Sequence, residues 1–332
     1  MDRPTFLAGV AATAALAWHT AVAAATETVN IINTGSNDSF AMQALIKNRK
    51  YFQSVGISDN TQNVSDGVKL MASVVNGSSD IAILTGFSQV FTAIENGAQI
   101  KLVGSAILPV SFAMYTGNPA IKTVKDLEGK SIGTGAIGAL VNTSTAAVLR
   151  KYGVDLNKVN FVNIGSSSDI FKAVAAKKVD AGAAQHEFSR TAVQMGVRVL
   201  CDFAKVIPQF TNQGAFSPIS AITGKRDLLV KTLAAYGRAY KYVDGPSSKQ
   251  AWVDAYKDGV GPDTEELATD LWNWIQANKA YNSAIVLSPE RINYMQQLNV
   301  ALGVQKAVLP VDKVADMSIA GDAAILAAKG PV

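Results

Sequence analysis

The chain is almost without cysteine and histidine, and those two shortages exclude more chemistry than any motif supplies. Among its 332 residues there is one cysteine, Cys201, and there are two histidines, His19 and His186. A single cysteine cannot close an internal disulfide and is expected as a core residue at a strand end. One histidine beyond the first segment, with no thiol to join it, cannot build a metal site, so no metal and no cofactor are expected. No G-x-S-x-G elbow is present to give His186 a serine partner, and no catalytic residue is expected. Charge is scarce too, at 17% of residues, and the net charge of +4 comes without a run of Lys or Arg or any basic–aromatic interleaving. Nucleic acid is therefore not expected as a partner. A hydrophobic fraction of 48% describes a packed globular chain rather than a disordered one.

Long apolar runs are also missing, with one informative exception. Phe6 to Trp18 is an Ala-rich run of 13 residues, followed by Ala21-Val22-Ala23-Ala24-Ala25. It is shorter than the roughly 20 residues a bilayer span needs, and its small residues fit cleavage after Ala23 or Ala25. Residues 1–25 are read as an export signal peptide, although Met1-Asp2-Arg3-Pro4 is poor in positive charge. Arg3-Pro4-Thr5-Phe6-Leu7 resembles a twin-arginine signal with proline in place of the second arginine, which leaves the export route open. Removing the segment takes one acid and one base, so the charge is unchanged. An exported, soluble chain without disulfides fits a bacterial periplasm.

What the chain does contain is a repeat. Ser65-Asp66-Gly67-Val68-Lys69-Leu70-Met71-Ala72 runs as a helix into a turn and then Asp80-Ile81-Ala82, an Asp leading an apolar strand. Ser168-Asp169-Ile170-Phe171-Lys172-Ala173-Val174 leads in the same order to Asp180-Ala181-Gly182-Ala183. Each copy continues through a polar loop and a helix into a second strand, Ile100-Lys101-Leu102-Val103 or Val197-Arg198-Val199-Leu200. Upstream, the strands Thr28–Ile32 and Lys130–Gly135 each feed a loop and a helix closed by glycine, Gly56 or Gly153. Such alternation predicts two lobes, each a mostly parallel sheet covered by helices on both faces. Two apolar segments with one proline each, Ser105–Tyr115 and Gly214–Ile222, are expected as antiparallel crossings that act as a hinge. Helical spacing then dominates, over Asp227–Val243, Lys249–Lys257, Asp263–Ala277 and Pro289–Leu302, and these helices are assigned to the first lobe.

Three stretches carry a family resemblance. They are Val75-Asn76-Gly77-Ser78-Ser79-Asp80-Ile81-Ala82, Asn96-Gly97-Ala98-Gln99-Ile100-Lys101-Leu102-Val103 and Ile121-Lys122-Thr123-Val124-Lys125-Asp126-Leu127-Glu128-Gly129-Lys130-Ser131-Ile132-Gly133. In this order and spacing the chain resembles the periplasmic solute-binding proteins of ABC importers of the nitrate, sulfonate and taurine type, over about Thr28 to Val243. The resemblance implies an α/β, two-lobed periplasmic-binding-protein (type II) fold with two hinge strands. It implies a monomer that closes on a small-molecule solute and docks on ABC permease transmembrane subunits. The expected division is lobe 1 over residues 26–112 and 218–332, and lobe 2 over residues 113–217.

Open α/β sheets bind ligands at the carboxyl ends of their strands, which singles out four loops. In the first lobe they hold Ser36, Asn37 and Asp38, then Gly86, Phe87 and Ser88; in the second, Gly138, Ala139, Asn142 and Thr143, then Gln185, His186 and Glu187. Ser111 and Phe216 on the crossings complete the candidate set. None of the loops holds Lys or Arg, but a helix start offers free N–H groups and about half a positive charge to an anion. Simpler roles compete: Ser88, Thr143 and Asp38 as helix caps, Phe87 as core, and Asp80 and Asp180 as groups that close a turn. A compact sulfonate fits the loops, or a zwitterion such as taurine if Asp38 or Glu187 takes the amine. An aromatic carboxylate or an aminopyrimidine stacked on Phe87 and Phe216 is the alternative. The competing class is an enzyme on the same scaffold, as in the pyrimidine synthases of thiamine biosynthesis, whose Cys-rich motif is absent here. A regulator's sensing lobe would need a DNA-binding or membrane segment the chain does not show.

Overall fold

The structure is a computed structural model that describes residues 26–330; the expected signal peptide lies outside the described residues. The first lobe opens with β1 (Glu27–Thr34), α1 (Asn37–Asn48), β2 (Ile57–Val64), α2 (Gly67–Val75), β3 (Ile81–Thr85), α3 (Ser88–Glu95) and β4 (Ile100–Ser105). The second follows with β5 (Phe112–Thr116), β6 (Ser131–Thr134), α4 (Leu140–Lys151), β7 (Asn160–Asn163), α5 (Ser167–Ala175), β8 (Ala181–Gln185), α6 (Ser189–Gln194), β9 (Arg198–Asp202) and α7 (Phe203–Val206). The chain then returns through β10 (Gly214–Pro218) to α8 (Ile219–Gly224), α9 (Arg226–Val243), α10 (Lys249–Val260), α11 (Glu265–Asn278), α12 (Pro289–Ala301), α13 (Val311–Val314) and α14 (Ser318–Ala328). None of the helices among the described residues is long and apolar enough to cross a membrane.

Each lobe is built on one five-stranded sheet, and the two sheets have matching orders, β2-β1-β3-β10-β4 and β7-β6-β8-β5-β9. The fourth strand is antiparallel in both cases, and in both it is the strand the chain enters on crossing from the other lobe. The expected hinge segments are therefore partly sheet. Residues 214–217, grouped above with the second lobe, pair with β3 and β4 of the first. The crossings themselves are shorter and pair with each other: the amides of Asn212 and Gln213 donate to the carbonyls of Leu108 and Ile107 at 3.1 and 2.9 Å.

The duplicated residues do the same structural work in both copies. Asp80 Oδ2 accepts the Asn30 amide at 2.9 Å, and Asp180 Oδ2 accepts the Ser131 amide at 3.0 Å, so each Asp ties its strand to the neighbouring one. The Ser131 amide holds the Asp180 carboxyl below its ordinary range. Asp80 adds an ion pair to Lys225 at 2.7 Å. Gly56 and Gly153 sit at φ +75° and +71°, a left-handed conformation that costs a residue with a Cβ about 1 kcal/mol or more. Both fully buried central strands, β3 and β8, deliver their C-terminal loops towards the opposite lobe. The helices after β10 pack on the first lobe, α9 and α14 against each other and α10 against α1.

Candidate functional site

Position in the sheets dictates which loops meet. The loop after β1 continues into α1, whose first turn begins at Asn37 with Ser36 as the flanking residue. Asp38 is not the cap: it lies inside that first turn, 2% exposed, and its carboxylate points towards the other lobe. Gln185, at the end of β8, donates from Nε2 to Asp38 Oδ1 at 3.1 Å. Gln213, on the second crossing, donates from Nε2 to Asp38 Oδ2 at 2.9 Å. The same two loops are joined again where Asn37 Nδ2 donates to Glu187 Oε1 at 2.8 Å. Glu187 is 1% exposed in the short helical turn His186–Phe188. Two carboxylates from opposite lobes are thus buried together and held by side-chain amides.

Burial pushes the Glu187 carboxyl up to about 8, with the charge of Asp38 adding to the shift and the Asn37 amide opposing it. The group is neutral over most of the physiological range unless a positive or N–H-donating partner arrives. Gln213 Oε1 and Asn212 Oδ1 on the second crossing have no hydrogen bond, and the neighbour of Glu187 Oε2 that could partner it is the Tyr256 hydroxyl. Tyr256 stands beside Glu187, and burial followed by that neighbour raises its hydroxyl pKa. Tyr240 and Tyr281, stacked at 5.0 Å, lie within the field of Asp38. Unpaired buried groups of this kind cost about 1–3 kcal/mol each.

Other predicted residues divide into several roles. Gln185, Glu187, Asn37 and Asp38 come together as described. Ser111 Oγ accepts from Asn212 Nδ2 at 3.0 Å and so ties one crossing to the other. His186 donates its amide to the Ser111 carbonyl at 2.7 Å, and its ring lies 6.4 Å from that of Trp274 on α11. Burial lowers the His186 pKa, which keeps the imidazole neutral. A groove of about 490 Å³ runs between the lobes from Glu187, walled by His186, Trp274, Asn273 and Asp270. Ser36 Oγ shares a hydrogen bond with Ser39 Oγ at 2.9 Å, while Ser88 Oγ is buried and unpartnered.

The second-lobe loop after β6 is spent locally. Asn142 Oδ1 accepts the Gly138 amide at 3.0 Å, and Thr143 Oγ1 donates to the Gly138 and Ala139 carbonyls at 3.0 and 2.8 Å. Phe87 and Phe216 are fully buried in the core, Phe87 edge-on to Phe91. Gly86 serves packing across the lobes: a Cβ there would meet Leu140 Cβ at 2.5 Å. Of the nearby arginines, Arg190 lines the groove beside Glu187 while paired with Asp270, and Arg150 is bonded to the Ala301 carbonyl. Cys201 is buried at the edge of the core, which pushes its thiol up to about 12. Groups of three or more His, Cys, Asp or Glu placed to hold a metal are absent among the described residues.

Sequence reasoning passed over Gln213, Asn212, Tyr256 and Trp274. Tyr256 and Trp274 carry polar-tipped rings on helices otherwise read as packing, and Asn212 and Gln213 on the second crossing gave no local signal.

The fold has clear relatives. The periplasmic aliphatic sulphonate binding protein SsuA from Escherichia coli superposes with a TM-score of 0.70 at 17% identity, over 88% of this chain and 92% of that one. The periplasmic nitrate-binding protein NrtA from Synechocystis gives 0.72 at 12% identity, over 91% and 89%. A Candida albicans gene product described as having the generic periplasmic binding protein structural fold gives 0.69 at 15%, over 87% and 96%. No curated protein sequence matches the chain. At these identities the likeness is one of fold, and it agrees with the two matching sheets and their exchanged strands. The model of one family, described as NMT1/THI5 like, matches residues 37–246, a span that holds both carboxylates and both crossings. The chain belongs to the NMT1/THI5-like family.

Proposed function

We propose that this protein is the solute-binding component of an ABC importer, exported to the periplasm, where it closes its lobes on a small organic solute and presents it to a membrane permease. The observation that carries the reading is the pair of hydrogen bonds across the cleft, Gln185 to Asp38 and Asn37 to Glu187. Residues from both lobes complete one buried site, which is what a clamp requires and a surface patch does not. The sulfonate- and nitrate-binding proteins of like fold support the same role.

The site's chemistry narrows the solute. Asp38 and the unpaired acceptors of Gln213 and Asn212 lie at this interlobe site beside the neutral Glu187 carboxyl, and a bare anion placed there would meet the Asp38 carboxylate at low dielectric. A solute bearing an amino group answers them. Among sulfonates this favours a zwitterion of the taurine type, its ammonium between Asp38 and Glu187 and its sulfonate towards the free N–H groups of a helix start. A second reading follows from the groove beside Glu187: the Trp274 and His186 rings wall it, so an aminopyrimidine could place its amino group on Glu187 and its ring along them.

A melting-temperature panel separates these. It sets taurine against alkanesulfonates of equal length without the amine, with nitrate, benzoates and aminopyrimidines alongside. Taurine or an aminopyrimidine should raise Tm in proportion to ln[ligand], unchanged in amount after incubation. Equal stabilisation by the amine-free sulfonates would remove the carboxylates from recognition. Chemical turnover of the stabilising compound would replace the transport reading with an enzyme.

A further inference from the structure

One face of α11 grips the turn that carries Glu187, and it does so without facing the acid pair. Glu266, Asp270 and Trp274 follow at intervals of four residues and form a single stripe. Opposite them, on the second lobe, stand His186 and Arg190, the residues flanking the Glu187 turn. Arg190 Nη2 meets Asp270 Oδ1 at 2.5 Å, and Arg190 Nη1 meets Glu266 Oε2 at 3.6 Å. One turn on, the Trp274 ring lies against His186. Between them Leu267 packs on the apolar clusters of both lobes at once. The rest of α11 is rooted in the first lobe, where Ala268, Leu271 and Ile275 are buried in its core.

We infer that Arg190 and the Glu266–Asp270–Trp274 stripe form a latch that positions Glu187 and sets the balance between open and closed lobes. The latch acts on solute affinity through that balance. Its geometry suits the task. The Asp270 side chain is 20% exposed and that of Arg190 49%, so the pair is sheltered enough to matter and wet enough to break. An ion pair in that setting shifts an equilibrium by about two- to fivefold, the right size for a bias that a solute can still overcome. Arg190 also neutralises Asp270 beside the Glu187 turn. The hydrophobic and ring contacts of Leu267 and Trp274 give the latch a salt-independent part.

The inference rests on lobe closure as proposed above, but its test needs no solute, so a panel that found no ligand would leave it standing. Small-angle scattering and backbone hydrogen exchange over residues 185–190 are measured on the full chain alone, in dilute buffer and in 0.5 M NaCl. The wild type should be compact in dilute buffer and should expand, losing about two- to fivefold protection, in salt. Arg190→Ala should be expanded in both, and Asp270→Arg likewise. The double variant Arg190→Asp with Asp270→Arg should return to the compact state, a rescue that simple loss of fold could not give. Arg190→Lys, which keeps the charge, covers the case in which the alanine variant does not fold; it should fall between wild type and Asp270→Arg. Wild-type radius and protection in either single variant, or failure of the charge swap to restore them, would overturn the latch.

Discussion

The lobes meet at two diagonal places, and the duplication makes them comparable. The loop after β1 meets the loop after β8, and there the contact is polar: Asn37, Asp38, Gln185 and Glu187 exchange hydrogen bonds. The loop after β3 meets the start of the helix that follows β6, and there Gly86 lies directly against Leu140. Topologically the positions correspond, β1 with β6 and β3 with β8. Chemically they have diverged, one into a site with unsatisfied acceptors and the other into a tight apolar stop. Duplication supplied four loops at strand ends; under the clamp proposed above, one diagonal would serve recognition and the other would fix how far the lobes can approach.

The largest expected effect breaks the apolar contact. Gly86→Val should prop the lobes apart, since even the first side-chain carbon would overlap Leu140 Cβ. Overpacking of this kind costs about 1–3 kcal/mol, which would weaken any solute that stabilises the wild type by roughly 5- to 150-fold. Pairing it with Leu140→Gly should recover most of the loss in a titration; no recovery would mean that the contact does not limit closure.

An effect on stability rather than on solute binding sharpens the polar contact. Folded, Glu187 keeps its proton up to about pH 8, whereas an unfolded chain releases it near the ordinary 4.5. Its contribution is therefore complete below that ordinary value and is lost as pH rises towards about 8, by up to about 1.4 kcal/mol per pH unit. Glu187→Gln should flatten this part of a urea-denaturation profile taken between those limits. An unchanged slope would show that the proton resides elsewhere.

Smallest of all should be Thr143→Val. Its hydroxyl is committed to two backbone carbonyls, so about 0.5–1.5 kcal/mol of stability is at stake and solute affinity should hold. A large loss of binding in calorimetry would bring the start of α4 into direct contact with the solute.

Much of the fold was legible because it was written twice. Asp80 and Asp180, Gly56 and Gly153, and the strand–loop–helix order each occur in both copies, and each has one local physical cause. The candidate loops were legible for the same reason, since strand ends in open sheets are predictable. What failed to show was direction. Phe87 and Phe216 turned inward because β10 enters the first sheet beside β3, and that pairing depends on a crossing whose length no local pattern sets. Asp38 looked like a cap because caps and cleft acids share the first helical turn; only the arrival of Gln185 and Gln213 distinguishes them. Tyr256 and Trp274 were hidden more deeply, as their helices read as ordinary packing until the far lobe lies against them.

The exchanged strands carry a consequence for how such a chain is made. β4 lacks its sheet neighbour until β10 has been synthesised, more than a hundred residues later, whereas every strand of the inner sheet lies in the unbroken stretch from Phe112 to Asp202. A polypeptide appearing amino end first would complete its middle before its beginning, and the outer sheet would wait with a raw edge for the return of the chain. Such a delay would keep the early product loose, which the export proposed above would require before assembly.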